Sequence, residues 1–310
     1  MRFLIAHWHS LNEWLRAFLL ALLLLVCVHL FVLRWVVVES TSMYATLLPG
    51  DLVMVERWPV WTGLERGDVV VFRDPLKDRL PMRKRPLVVK RIIGMPGDTV
   101  ELRRGRVLVN GQAMAPPPRA TQAHVLRLRE GHEAGDVMHW LGLPMSMVQP
   151  GRRIVELPLN DTLVEHLLRR DDVMLAEAMG PATGAPRHIF PFSQRYRWNS
   201  DDYGPIRVPA HGDTLRINVD NLPLYDRIMS IYEGHTLGVD RNELLIDGAP
   251  LERYVVEQDH YFVLGDSRHH SADSRYWGFL PHDHLVGRAG LVLWGKGGDG
   301  PWSGRRTRRP

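Results

Sequence analysis

Two side chains in this sequence could do chemistry together: Ser42, placed just after a long apolar run, and Lys90, in a strand-like stretch downstream. A serine hydroxyl is a poor nucleophile at its own pKa and needs a base within hydrogen-bonding reach. A lysine can be that base only when neutral, which requires an apolar pocket to depress its pKa. Lys90 follows Leu87, Val88 and Val89 and precedes Ile92 and Ile93, so alternation along a strand turns it to one face of a buried strand. Lysine is also scarce: Lys77, Lys84, Lys90 and Lys296 are the only lysines among 39 basic residues. Arginine keeps its proton in a protein, so a required neutral amine is one place where lysine cannot be replaced. On spacing alone, a lysine whose stem snorkels to the surface fits equally well. The pairing points to a membrane-held serine hydrolase.

Other constellations carry less. His269 and His270 with Asp266 and Asp273 suggest a metal site or a Ser/His/Asp triad. Adjacent histidines on a strand or loop point apart, however, and no second ligand pair has a characteristic spacing. Lys90 already fills the base role. The one cysteine, Cys27, lies in the apolar run, so a disulfide framework and a cysteine metal site are both excluded. Gly295-Lys296-Gly297-Gly298 lacks the spacing and the Ser/Thr of a phosphate loop. No metal and no cofactor are expected.

The elements that position these groups begin with Ala17 to Leu33, which has no formal charge, Pro or Gly. With Trp35 to Val38 it approaches the ~20 residues of a bilayer span, and it reads as a transmembrane helix. His29, its one polar misfit, receives no role. The run exceeds the ~7 to 15 residues of a signal-peptide core, and no small-x-small site precedes Arg34, so a permanent anchor is expected. Arg2 and Arg16 precede it and Arg34 and Glu39 follow, which places the N-terminus in the cytoplasm, with Trp8 and Trp14 at the inner headgroups and Trp35 at the outer ones. The layout is then 1–16 cytoplasmic, 17–38 anchor, 39–119 with 250–295 catalytic core, 120–249 inserted region and 296–310 flexible tail.

Hydrophobic residues at 45% and charged residues at 24% are those of a folded chain, which excludes disorder for most of it. The net charge of +4 is mild, and Arg79 to Arg85 and Arg305 to Arg309 read as solvated basic surface, with no nucleic-acid partner. Strands are expected at Asp51–Glu56, Asp68–Phe72, Leu87–Ile93, Thr99–Leu102 and Val107–Val109, in antiparallel sheet, giving a mainly β fold. Asn110-Gly111 and Asp247-Gly248 predict two similar hairpins. Between them, the inserted region has Pro116 to Pro118 at its head, the tract Gly180 to Arg187 near its end, and one short amphipathic helix over Asn160–Arg170. The last residues, Gly295 to Pro310, have little to bury.

The tract Glu39-Ser40-Thr41-Ser42-Met43-Tyr44-Ala45-Thr46-Leu47 resembles the nucleophile box of the bacterial type I signal peptidases, commonly written Pro-Ser-x-Ser-Met-x-Pro-Thr-Leu. Arg66 to Phe72 and Lys90 to Asp98 resemble the next two boxes of that family, and Gly265 to Gly278 the last. The resemblance covers residues 36–115 and 254–294. It implies a signal-peptidase-like antiparallel fold with an inserted α+β region, and a Ser/Lys peptidase that removes signal peptides at the outer face of the cytoplasmic membrane, close to the secretion translocon. Ser42 would be nucleophile and Lys90 general base. Ser40 would share the oxyanion with the Ser42 N-H, Ser271 would orient the lysine, and Asp273 and Arg275 would form a supporting ion pair. Substrates would carry small residues at the first and third positions before the cut. Glu39, Thr41, Ala45 and Ser267 depart from the family pattern, which has proline, glycine, proline and asparagine there. A specialised Ser/Lys peptidase for one pilus or conjugation substrate, and a non-catalytic membrane scaffold, are the alternatives.

Overall fold

The computed structural model describes residues 12–27, 32–184, 186, 188–241, 243–295, 300–302 and 309–310. Helix α1, Glu13–Cys27, lies over the apolar run. His29 and the N-terminal Arg2 and Trp8 lie outside the described residues. Among the described residues no helix is long and apolar enough to cross a membrane. The C-terminal end of the expected anchor is not helical: Leu33–Val37 is strand β1, paired antiparallel with β2, Leu52–Glu56. Its valine-rich sequence suits a strand, and Trp35 and Val37 face out while Val36 is more covered.

Next come β3, Val69–Arg73, and β4, Leu87–Gly94, followed by β5, Thr99–Arg103, β6, Arg106–Val109, and β7, Gln112–Ala113. The inserted region supplies β8, Gln122–Leu128, α2, Ala134–Leu141, β9, Ile154–Leu159, α3, Asp161–Leu168, and β10, Val173–Ala178. Then follow β11, Tyr203–Arg207, β12, Thr214–Arg216, β13, Leu237–Asp240, β14, Glu243–Ile246, β15, Ala249–Pro250, and β16, Arg253–Val255. The last strands are β17, His260–Leu264, β18, Leu280–Pro281, and β19, Leu285–Trp294.

An antiparallel sheet of order β1-β2-β19-β3-β4-β17-β18 forms the frame. One apolar cluster packs on it around Val53, Val55, Val69 and Val71, and another around Val70, Phe72, Ile92 and Val263. A second sheet, β11-β5-β6-β7, encloses a further core with Ile93, Val100, Tyr203 and Phe262. Both expected hairpins are present. Asn110 and Gly111 have φ of 52° and 77°, and Asp247 and Gly248 49° and 83°, the left-handed pairs a type I′ turn requires. The expected helix is also present, as α3, with the Asn160 side chain accepting from Leu163 N-H at its N-terminus.

Two expectations need correction. The stretch 120–249 divides between two environments. Strands β8 to β10 with α2 and α3 build their own core around Leu126, Met138, Leu157 and Leu167, whereas β11 pairs with β5 and β12 with β16. The apolar residues Tyr203, Ile206 and Ile217 carry that second part into the core beneath β5 and β6. Nor is the tail wholly without a place to bury. Trp302 is buried, its ring edge-on to Tyr44 at 5.8 Å, and its Nε1-H donates to the Leu141 carbonyl at 2.6 Å. A buried tryptophan removes a large apolar surface from water.

Candidate active site

Ser42 sits in a tight turn between β1 and β2. Tyr44 N-H donates to Thr41 O at 2.9 Å and Leu47 N-H to Met43 O at 2.8 Å. Met43, Tyr44 and Leu47 are buried, Met43 and Leu47 in the core of the main sheet and Tyr44 in that of the inserted region, so the turn is nailed between two packed bodies. Tyr44 Oη-H donates to the same Leu141 carbonyl that Trp302 reaches. Ala45 has φ of 66°, a left-handed conformation that proline, locked near −65°, cannot adopt. The departure from the family pattern at this position thus goes with the backbone path found here.

Lys90 lies on β4 opposite Val70, between Val89 and Arg91, and is 2% exposed. Its Nζ is 2.7 Å from Ser42 Oγ and 3.1 Å from Val89 O. Burial pulls the amine down to about 8, against the upward pull of Asp273, Asp74 and Asp266. Ser40 Oγ is 3.2 Å from Ser42 Oγ. The Ser42 N-H has no hydrogen-bond partner among the described residues.

The loop after β17 closes the site. Gly265 N-H donates to Asp273 at 3.0 Å and Ser267 N-H to the Ser42 carbonyl at 3.1 Å. Ser271 is buried nearby, but its Oγ makes no hydrogen bond among the described residues, so it does not reach Lys90. Asp273 and Arg275 form the expected ion pair, fully buried and two-pronged at 2.8 Å. Burial alone would raise the Asp273 carboxyl, and the Arg275 guanidinium outweighs it and holds the group below its ordinary value. His269 accepts from Ala123 N-H through Nδ1 and donates to Asp201 through Nε2, away from Ser42.

Sequence reasoning missed the part played by Asp266. Its carboxylate takes Arg91 Nε-H and Nη2-H at 2.9 and 2.6 Å and the Thr46 hydroxyl at 2.6 Å. Asp266 thereby joins β4, one residue from Lys90, to the turn that carries Ser42. The signal was the Lys90-Arg91 pair itself, because alternation sends Arg91 to the face opposite Lys90.

A groove of about 720 Å³ runs past these groups, between residues 35–42 and 86–90. The family model described as signal peptidase, peptidase S26, matches residues 11–151 and 205–294. The chain belongs to this family. The S26 match leaves out 152–204, which holds β9, α3 and β10. Signal peptidase I P of Bacillus subtilis subsp. natto is 35% identical over 104 residues, 33% of this chain and 52% of that protein. Signal peptidase I of Buchnera aphidicola subsp. Baizongia pistaciae is 21% identical over 272 residues, 83% of this chain and 68% of that one. A solved signal peptidase I from Enterococcus faecalis is 17% identical, over 73% of this chain and 96% of its own, with a TM-score of 0.26. The chain spans about half the length of the Bacillus relatives it matches.

Proposed function

We propose that this S26 member is a serine endopeptidase that removes signal peptides from preproteins after small-x-small sites, with Ser42 as nucleophile and Lys90 as general base. The observation that carries the reading is the 2.7 Å contact between the buried Lys90 amine and Ser42 Oγ at the floor of a groove. With the amine neutral, the Ser42 hydroxyl donates to its lone pair, and attack on the scissile carbonyl passes the proton to Lys90. Lys90 then protonates the leaving amine, and it activates the water that hydrolyses the acyl-enzyme. The unpaired Ser42 N-H and the Ser40 hydroxyl are the donors available to the oxyanion.

The half of β4 that borders the groove, Leu87 to Val89, pairs with β3 on one edge, while β17 takes only Arg91 to Gly94 on the other. A substrate peptide can therefore lie as an added strand along the open edge. Val36, Val38, Leu87 and Val89 line the groove, and their branched side chains leave shallow subsites that exclude large residues by overlap.

The same proposal holds the protein to the bilayer with its groove on the outer face. Most of α1 is exposed apolar surface, Phe18 and Leu23 to Leu25 being 60 to 65% exposed. Trp35, Val37 and Trp294 on the frame sheet are exposed as well, and suit the interfacial layer of a bilayer. Confining enzyme and preprotein to one membrane raises their effective concentration.

The reading is tested with a preprotein, the detergent-solubilised chain and its Ser42→Ala variant, sequencing the new N-terminus. Cleavage after a small-x-small site by the wild type alone is expected; an active Ser42→Ala overturns it. The pH profile offers a second test. Lys90 is competent only when neutral, so kcat/KM rises with pH through an acid limb near 8. Asp74 pulls the amine upward, so Asp74→Asn moves that limb to lower pH. Asparagine keeps the oxygen that accepts Leu76 N-H, which isolates the charge effect. A limb that stays put or moves up would falsify Lys90 as the titrating base.

A further inference from the structure

Outside the groove, the half-buried Arg268 has no ion-pair partner among the described residues. Arg268 lies in the loop that also carries Asp266 and Ser271, and its backbone is pinned to Thr121. Its guanidinium makes no hydrogen bond or ion pair among the described residues, and its Nε is sealed from solvent. Burial, and then the neighbouring Arg275, pulls this group down to about 10, against the weaker upward pull of Asp266 and Asp273, neither of which it contacts. Arg275 cannot share its own partner, since its fork is taken by Asp273 and by the Ser200 and Arg268 carbonyls. A cation drawn partly out of water without a hydrogen-bond partner is costly, and folded proteins retain one where something else supplies the balance.

Arg268 lines a cavity of about 360 Å³ together with Arg104 and Arg106 and the apolar side chains of Val107, Met114 and Pro116. Among the described residues no acidic side chain lines it. Neither Arg104 nor Arg106 makes an ion pair among the described residues. The turn that presents them is fixed in advance: Arg104 N-H donates to Asp202 Oδ1 and Gly105 N-H to Asp201 O, each at 2.8 Å. Asp201, the carboxylate of the adjoining cleft, is itself engaged by His269 and Ala182 N-H. Three arginines lining one cavity bring the fork-shaped donors that suit the oxygens of a phosphate group.

We propose that this cavity is a binding site for a phosphate oxyanion, held by Arg268 from within and by Arg104 and Arg106 at its rim. The apolar side chains suit a phosphate that carries an apolar or glycerol portion. An anionic lipid headgroup and a soluble phosphate share this chemistry. Occupancy neutralises Arg268 and so steadies the loop that holds Asp266 and Ser271.

The test uses the full chain in uncharged detergent, with inorganic phosphate and dihexanoyl-phosphatidylglycerol as separate probes and sodium chloride at matched ionic strength. Binding is read by calorimetry and by the rise in melting temperature. Both probes are expected to raise the melting temperature where chloride does not. Phosphatidylglycerol binding tenfold or more tighter than phosphate assigns the site to a lipid headgroup, and equal affinities assign it to a soluble phosphate. The double variant Arg104→Glu with Arg106→Glu, altered only at exposed side chains, is expected to lose at least tenfold in affinity for either. Arg268→Gln is expected to lose binding while melting no lower than the unliganded wild type, because it removes a half-buried charge that has no hydrogen-bond partner among the described residues. No binding of either probe, a shift that chloride reproduces, or affinity unchanged in the rim variant overturns the site.

Discussion

Replacing Lys90 by arginine is expected to abolish peptide cleavage, with a loss on the order of 10⁴-fold or more in kcat/KM. The reason lies in protonation. Arginine reaches the same region with a charge it does not release, so Ser42 faces a permanent donor in place of a base. The larger guanidinium must also enter a site where Lys90 is 2% exposed, so Lys90→Met serves beside it. Methionine fills similar space with no charge to desolvate, and its melting temperature is expected to match or exceed that of the wild type. A Lys90→Met chain that is folded and inactive, beside a wild type whose activity rises with pH, isolates the proton acceptor. Measurable turnover by either variant, with the wild-type pH profile retained, would show that another group takes the proton.

Gly265→Ala carries the second large effect. A methyl group there would stand closer than 3.0 Å to the Ser271 side chain and to the Ser42 carbonyl oxygen. Of the first, only Oγ can rotate away, since the Ser271 Cβ moves only with its backbone. The second is backbone, and it accepts from Ser267 N-H, so relief requires moving the nucleophile turn or the loop after β17. Overpacking of this kind costs about 1 to 3 kcal/mol, and a displacement of about 1 Å at a reacting centre costs roughly 10²-fold in rate. The expected result is a lower melting temperature with kcat reduced by about that factor. Adding Ser271→Gly makes room on one side only, so it is expected to restore part of the stability and little of the rate. Full activity in Gly265→Ala would mean that the contact of the loop after β17 with the Ser42 carbonyl does not hold the nucleophile in place.

Much of this protein was legible in its sequence because the features concerned are local. The strand at Leu87 to Ile93 follows from alternation of β-branched residues, the cap at Asn160 from a side chain three residues from its donor, and the turns at Asn110-Gly111 and Asp247-Gly248 from residues that tolerate positive φ. The four boxes recorded Ser42, Lys90, Ser40, Ser271, Asp273 and Arg275 in their local contexts. The structure places Ser40, Ser42 and Lys90 in contact, while Ser271 stands close without a hydrogen bond.

What the sequence by itself determined, then, is which residue types stand on which strand faces and turns, since that depends on neighbours a few positions apart. Tertiary structure alone decided how distant pieces meet. Asp266 clasps Arg91 and Thr46 across separations of 175 and 220 residues, and Trp302 reaches Leu141 across 161. Valines 36 and 37 went to the frame sheet because β2 offered a partner edge, and β11 left the inserted region because β5 did the same. Each outcome rests on burial and hydrogen bonding between segments whose encounter no local pattern encodes.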